Sequence, residues 1–158
     1  GSSRPHVGSK VTRMDKTFTL GEAQTLLPVL ESLLKRAQES AFRAARFETE
    51  MHELTQRIHL TGGMHVDVVA AARRRAERDK AAQLAKDTLI EIDEIGVTVQ
   101  DLEAGLLDFP CQIDGTTVLL CWKLGESAIT HWHTPEDGFA GRRPLDARFH
   151  RTDRERLN

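Results

Sequence analysis

A run of about forty residues with helical patterning, from Leu20 to about Leu60, most limits the folds open to this chain. Gly62 and Gly63 end the run, and a second helical stretch rich in alanine and charge continues to Ile95. Two helices joined by a few residues form an antiparallel hairpin. We therefore expect a hairpin whose first helix carries apolar or small residues at helical spacing, at Leu26, Leu30, Leu33, Ala37, Ala41 and Ala44.

Local signals mark the ends of the two helices. Thr19 and Glu22 fit a capping box at the start of the first helix, although the Glu22 carboxylate is also a candidate ligand. Pro28 lacks a backbone N–H and should kink the first helix or split off a short one. Gly96 suits the C-terminal cap of the second helix.

The patterning after Gly96 is that of a small antiparallel sheet. Asp114-Gly115 is a strong two-residue hairpin signal between "GLLDFPCQI" and "TTVLLCWKL". If this pair forms the turn, Phe109 faces Leu120, and Asp108 and Cys121 lie together on the opposite face. The sequence therefore predicts an α+β fold, a long antiparallel helical hairpin packed against a small antiparallel β-meander.

The stretch "ITHWH" at residues 129–133 brings two histidines to the end of this meander. His131 and His133 are two residues apart, so in a strand both point to one face. With Gly125 at the first central position of a type II′ turn, that face is the apolar one. A buried imidazole needs a partner for each ring nitrogen, and a carboxylate or a metal ion would serve.

Carboxylates that could join these histidines lie close by in the sequence. Asp87, Glu91 and Glu94 share one face at the end of the second helix, where they are either ligands or a solvated surface. Zn²⁺, Fe²⁺ and Mn²⁺ commonly take imidazole and carboxylate ligands together. The predicted site for a divalent ion of the zinc, iron or manganese class comprises His133, Glu91, Asp108, Glu94 and His131.

A second histidine group lies at the far end of the hairpin. Glu48, His52 and His59 share a helix face, and His65 follows the glycine pair. In an antiparallel hairpin Glu91 lies opposite about residue 35, roughly 25 Å from His52 at about 1.5 Å per residue. One ion cannot join both groups within one subunit, and we rank this group second.

Composition limits the partners. The chain has 22 basic and 24 acidic residues among 158, and this balance does not favour nucleic acid or a membrane surface. Two cysteines give no disulfide framework, which suggests the cytoplasm.

Arg142 and Arg143 are weak candidates for binding an anion, and the substrate class stays open. The amphipathic helices suggest a homodimer.

The ends of the chain differ from its middle. Residues 1–16 are small, polar and patternless, as in a disordered arm or an expression scar. Residues 17–145 are predicted to form a single α+β domain. Residues 146–158 are polar and are predicted to form a flexible tail.

Several motifs together resemble a known family: "FTLGEAQTLLPVL", "EIDEIGVTVQDLEAGLLDFP", "GTTVLLCWKLGE" and "WHTPEDGFAGRRPL". They are similar to an uncharacterised bacterial domain-of-unknown-function family (number 2203), described as a metal-binding candidate, over about Phe18–Leu145. In that family the position of His131 is often not histidine, so the resemblance implies that His133 is the better ligand. Two functions follow as hypotheses: a metal-binding domain, or a structural module that self-associates through its helices.

Overall fold

The computed structural model describes residues 16–60, 62 and 67–157. Two long helices precede a five-stranded antiparallel sheet, which confirms the α+β prediction. The elements are α1 (Leu20–Leu60), α2 (Val68–Ile95), β1 (Thr98–Asp101), β2 (Leu106–Ile113), β3 (Thr116–Lys123), β4 (His131–His133), a 3-10 helix (Phe139–Gly141), β5 (Arg143–Pro144) and α3 (Ala147–Leu157). The predicted arm before Lys16 and the helix-tip His65 lie outside the described residues. No described helix combines the length and the apolar character that crossing a membrane requires.

The chain divides into two compact units. The first comprises the chain up to Leu33 together with the chain from Glu91 onwards, and it contains the sheet, α3 and the sheet-proximal ends of α1 and α2. The second comprises Leu34–Ile90 and consists of the rest of both helices.

Ion pairs between the helices show the antiparallel arrangement of the second unit. The Arg74 guanidinium lies 3.2 Å from the Glu50 carboxylate, and that of Arg43 lies 3.8 Å from Glu77. Such exposed pairs contribute only about 0–1 kcal/mol each. Because small buried residues such as Ala37 let the helices approach closely, packing contributes more. The predicted hairpin is confirmed.

The capping box at the start of α1 is confirmed. The Thr19 backbone N–H donates to Glu22 Oε1 at 2.8 Å, and the Glu22 N–H donates to Thr19 Oγ1 at 3.1 Å. The Glu22 carboxylate therefore serves the helix end. Pro28 lies inside α1 without dividing it, so the prediction of a separate short helix is wrong. Packing of buried residues on either side, such as Leu27 and Leu30, maintains the helix despite the missing donor.

Gly96 ends α2 in a Schellman motif. Its N–H donates to the carbonyl of Asp93 at 3.0 Å, and the N–H of Val97 donates to that of Ile92 at 3.4 Å. Gly96 has a φ of 105°, which L residues rarely adopt, and a Cβ there would lie 2.8 Å from Lys16 Cδ. The predicted C-terminal cap is confirmed, and the positive φ favours glycine here.

Replacing Gly96 with alanine should therefore destabilise the fold by about 2 kcal/mol through backbone strain and the clash with Lys16. Gly115→Ala is the matched control, because Gly115 also has a positive φ, of 76°, but nothing lies within 4 Å of its added Cβ. Urea denaturation of both variants measures the difference. Equal losses of unfolding free energy would show that the contact with Lys16 contributes nothing.

The register of β2 and β3 is the one that the Asp114-Gly115 turn predicts. Phe109 pairs with Leu120, and Asp108 pairs with Cys121. Pairing continues through Pro110 without a bulge; the irregularity lies instead between Val99 and Asp101 in the β1–β2 pair. One face carries the apolar core of the sheet, with buried residues Leu107, Phe109, Cys111, Ile113, Val118, Leu120 and Trp122.

The predicted register of β4 is wrong by one residue. Cys121 pairs with His131 and Leu120 pairs with Trp132, so both histidines lie on the face of Asp108 and Cys121. The reason is the turn. The Glu126 N–H donates to the Lys123 carbonyl at 2.9 Å, which puts Gly125, with a φ of 106°, at the second central position instead of the first. The pairing of β4 with β3 is therefore shifted by one residue relative to the predicted register. A shift of one residue moves every side chain of a strand to the opposite face of the sheet.

The C-terminal stretch contains α3, in contrast to the flexible tail predicted for residues 146–158. Phe149 of α3 is fully buried, and its ring lies 5.7 Å from that of Trp132. The Asp153 carboxylate accepts a hydrogen bond of 2.9 Å from the Gly21 N–H, one of the unpaired donors at the start of α1. One aromatic anchor and one cap fix a segment that is otherwise strongly polar.

Candidate metal centre

Three neighbouring strands each contribute one buried side chain to a single group. Asp108 of β2 lies beside Cys121 of β3, and His133 of β4 projects from the same face of the sheet. The three residues are only 1–2% exposed. One ligand atom of each lies within 4.8 Å of the others. Among the residues that the structure describes, this is the only such group of three or more His, Cys, Asp or Glu residues.

The hydrogen bonds of His133 define the chemistry of the group. Its Nδ1 lies 2.8 Å from the carbonyl oxygen of Thr134, which only accepts, so Nδ1 carries a proton and donates it. In the neutral imidazole Nε2 then presents a lone pair, and it lies 3.0 Å from Asp108 Oδ1. Two acceptors at that distance need a positive charge between them. A shared proton or a metal ion would supply it.

The Asp108 carboxyl is poorly compensated for a buried charge. Burial raises its pKa, and the interactions with His133 and with the Gln100 amide offset only part of that effect. Gln100 reaches the group from the irregularity between Val99 and Asp101 in β1. Within the described part of the chain, Asp108 Oδ2 is buried and has no hydrogen-bond partner. This oxygen is free to bind a cation.

The Cys121 thiol is protonated at neutral pH. Burial and the neighbouring Asp108 carboxylate raise its pKa from 9.0 to about 11, although contact with the Arg142 guanidinium lowers it in part. This is no setting for a free nucleophilic thiolate. A metal ion would displace the proton, because metal ligands bind in the deprotonated form.

The raised pKa of Cys121 predicts an alkaline loss of stability in metal-free protein. The folded state keeps its thiol proton longer than the unfolded chain, so this stability is complete below pH 9 and falls as pH rises through about 11. The loss should be about 2 kcal/mol. Denaturation with a chelator present, from pH 8 to pH 11, measures it against Cys121→Ser. Parallel pH profiles of the two proteins would contradict the prediction.

The donor atoms suit a borderline-soft divalent ion. Zn²⁺ lies about 2.0–2.3 Å from N, O and S ligands, so tetrahedral ligands are about 3–4 Å apart. The Nε2–Oδ1 separation is 3.0 Å, and all the separations are within 4.8 Å. Adjustments of about 1 Å would therefore accommodate an ion. A ligating histidine commonly donates its second ring N–H to a carbonyl, as His133 does here.

The structure includes some of the predicted ligands and not others. Asp108 and His133 belong to the group, whereas Glu91 and Glu94 are exposed on α2 and lie outside it. Their helix face is the solvated surface that was the alternative interpretation. His131 is only partly buried, and its Nδ1 lies 2.8 Å from Thr130 Oγ1.

Cys121 is the member of the group that the sequence prediction missed. The hairpin turn already placed it beside Asp108, but the incorrect register of β4 put His133 on the other face. Trp132 was the available signal, since a large aromatic side chain favours the buried face and so fixes the register of both histidines. With that register, His133 shares a face with Cys121.

The second histidine group does not form a site among the described residues. His52 and His59 are exposed on α1, and the Glu48 carboxylate pairs with the Arg78 guanidinium. His65 lies outside the described residues. Exposed side chains with separate partners have no common position for an ion.

The two candidate anion-binding arginines have different surroundings. Arg142 donates to the Glu126 carboxylate at 3.2 Å, and its guanidinium lies 4.4 Å above the Phe139 ring. Arg143 is more exposed and donates to Asp137 at 3.1 Å. Of the two arginines, Arg142 acts on a member of the buried group, since its guanidinium lowers the pKa of the Cys121 thiol in part.

Comparison with known proteins assigns the chain without adding an activity. The family model described as an uncharacterized conserved protein (DUF2203) matches residues 16–145, which include the whole buried group. Neither a curated protein nor a solved structure matches the chain.

Proposed function

The chain belongs to the uncharacterized conserved protein family DUF2203, and we propose that it binds one divalent metal ion through Asp108, Cys121 and His133. The observation that carries the proposal is the contact between His133 Nε2 and Asp108 Oδ1 at 3.0 Å, with the Cys121 sulfur close to both. A cation at this position would take the place of a proton between these two atoms. It would also give the buried Asp108 Oδ2, which has no hydrogen-bond partner, a positive charge nearby.

The thiolate decides which ions fit. Thiolate ligands favour zinc and iron, whereas manganese favours oxygen donors. A set of one sulfur, one nitrogen and one oxygen therefore binds Zn²⁺, Fe²⁺ or Co²⁺ more tightly than Mn²⁺. Because the Cys121 thiol has to stay reduced to bind the ion, the proposal includes a reducing compartment such as the cytoplasm.

Three protein ligands leave one position of a tetrahedral ion for water or a substrate. An ion with an open position can activate water or polarise a substrate. The proposed function is metal binding, and the reaction class stays open.

Stoichiometry and selectivity test the proposal. Tag-free protein treated with a chelator and then desalted should bind one equivalent of Zn²⁺ or Co²⁺ in competition with a chromophoric chelator. Mn²⁺ should bind at least about 100-fold more weakly, because it gains little from the thiolate. Binding of less than about a tenth of an equivalent of Zn²⁺ under conditions that load known zinc sites would contradict the proposal.

A second candidate function is self-association through the helices. Several apolar side chains of α1 and α2 are exposed, among them Phe42 at 67% and Leu60 at 82%. Exposed apolar surface of this kind favours contact with another protein. Sedimentation velocity over a wide concentration range should detect a dimer that Phe42→Glu weakens. A monomer at every concentration would exclude this candidate.

A further inference from the structure

Arg142 lies at the border between the buried group and solvent. The side chain of Arg142 is 27% exposed, and the residue directly precedes Arg143, which pairs with Trp132 next to the buried His133. Cys121, whose thiol pKa the guanidinium lowers, is only 1% exposed. One side of the guanidinium therefore faces the proposed metal ligands and another faces solvent. A molecule that approached the group along this side would meet Arg142.

The surrounding residues hold the guanidinium in place. Phe139 stacks against it at 4.4 Å, and Glu126 accepts one of its hydrogen bonds at 3.2 Å. Glu126 is itself fixed, since its Oε1 accepts from the Lys123 N–H at 2.9 Å and its carbonyl accepts from Trp122 Nε1 at 2.9 Å. Arginine has five N–H donors in a planar fork. The bond to Glu126 uses one of them.

The shape of the guanidinium favours an oxyanion at this position, in exchange for Glu126. With a divalent ion bound, the Asp108 carboxylate and the Cys121 thiolate balance its charge, and His133 is neutral. The charges of Arg142 and Glu126 also cancel, so an anion would bind by exchange with the partly exposed Glu126 carboxylate and not because of a net positive charge. The guanidinium fork matches the paired oxygens of a carboxylate or phosphate group better than it matches a single carboxylate oxygen.

Resting on the proposed metal binding, we infer that the site takes an oxyanion of the carboxylate or phosphate class. One oxygen of the anion fills the fourth position of the metal ion, and another accepts hydrogen bonds from Arg142, which releases Glu126. When no anion is bound, the Arg142 guanidinium donates to Glu126. Glu126 therefore competes with the anion for the same N–H donors.

Cobalt-loaded protein tests the inference, because Co²⁺ bound to a thiolate has absorption bands that respond to a change of ligand. Acetate and methylphosphonate are titrated separately at constant ionic strength, and the anion that binds more tightly identifies the class. Both should shift the spectrum in a saturable way. Arg142→Gln should weaken anion binding at least about 10-fold. Glu126→Gln, which keeps an acceptor for the Lys123 N–H, should strengthen it about 5-fold.

Arg143→Gln is the matched control, since Arg143 is the adjacent arginine and pairs with Asp137 instead. It should bind both anions as the unaltered protein does. Equal anion affinity in the unaltered protein and in Arg142→Gln would overturn the inference, as would a cobalt spectrum that neither anion changes; metal binding would stand in both cases. If Arg142→Gln does not bind Co²⁺, the test depends on Glu126→Gln. An anion affinity in Glu126→Gln equal to that of the unaltered protein would then overturn the inference. Absence of cobalt bands in the unaltered protein removes the proposed function and this inference with it.

Discussion

Replacing His133 with alanine should lower the affinity for Zn²⁺ at least 100-fold, or by about 3 kcal/mol. Loss of a residue that only orients a metal ligand costs about 10–100-fold, and loss of a ligand costs more. Asp108→Ala and Cys121→Ser should have effects of similar size. Competition with a chromophoric chelator at pH 7 measures the affinity of each variant.

Two controls separate this ligand set from the set that the sequence predicted. His131→Ala removes a histidine of the same strand whose Nδ1 lies 2.8 Å from Thr130 Oγ1. The double variant Glu91→Gln and Glu94→Gln removes two exposed carboxylates of α2. Neither should change the affinity for Zn²⁺ by more than about twofold, because neither removes an atom of the buried group. A large loss in the double variant together with an unaffected Asp108→Ala would reverse the assignment.

The stability of metal-free His133→Ala needs its own measurement. The substitution leaves the Asp108 carboxyl buried without its partner, and breaking a buried pair costs about 3–5 kcal/mol when a charge remains. Because burial already raises the pKa of Asp108, this carboxyl can take up a proton, and the cost should be smaller. His133→Gln keeps a hydrogen-bond donor to Asp108 and provides a folded variant in which metal binding alone is lost.

Metal binding should release at least one proton at neutral pH, and this is the second large effect. One proton comes from the Cys121 thiol, whose pKa is raised to about 11. The affinity for Zn²⁺ should therefore rise at least about tenfold for each pH unit between about pH 6 and pH 8.

Affinity measured at several pH values gives the number of protons directly, as the slope of its logarithm. Cys121→Ser should lower the slope by about one, since serine has no proton to release at these pH values. A slope near zero in the unaltered protein would mean that the ion binds without displacing the proton of the Cys121 thiol. That result would exclude the proposed ligand set.

The sequence allowed the β2–β3 hairpin to be predicted residue by residue because a two-residue turn fixes the register. Asp114 and Gly115 both have positive φ, as such a turn requires. Once the turn is fixed, pairing of Asp108 with Cys121 follows. Two of the three members of the buried group could therefore be located relative to each other from the sequence alone.

The third member, His133, was placed on the wrong face because the longer connection between β3 and β4 does not by itself fix the register of β4. Gly125 fits either central position of a turn, and the two choices shift β4 by one residue. Side-chain burial decides between them: Trp132 packs against Phe149 of α3, which leaves His133 beside Cys121. That contact is long-range and involves a segment whose polar composition predicted no ordered structure.

The carboxylates of α2 show the limit of a helical stripe as a signal. Asp87, Glu91 and Glu94 share a helix face, but all three are exposed. Spacing along a helix shows which residues lie together and does not show whether that face meets the sheet or the solvent. The distinction depends on packing, in which Ile92 is the fully buried neighbour.

X-ray absorption spectroscopy of the zinc-loaded protein tests the central claim most directly, because it counts the atoms bound to the metal. The proposed site predicts one sulfur at about 2.3 Å and nitrogen or oxygen ligands at about 2.0–2.2 Å. Cys121→Ser should remove the sulfur contribution and leave the others. A zinc ion with only nitrogen and oxygen neighbours in the unaltered protein would contradict the assignment of Asp108, Cys121 and His133 as its ligands.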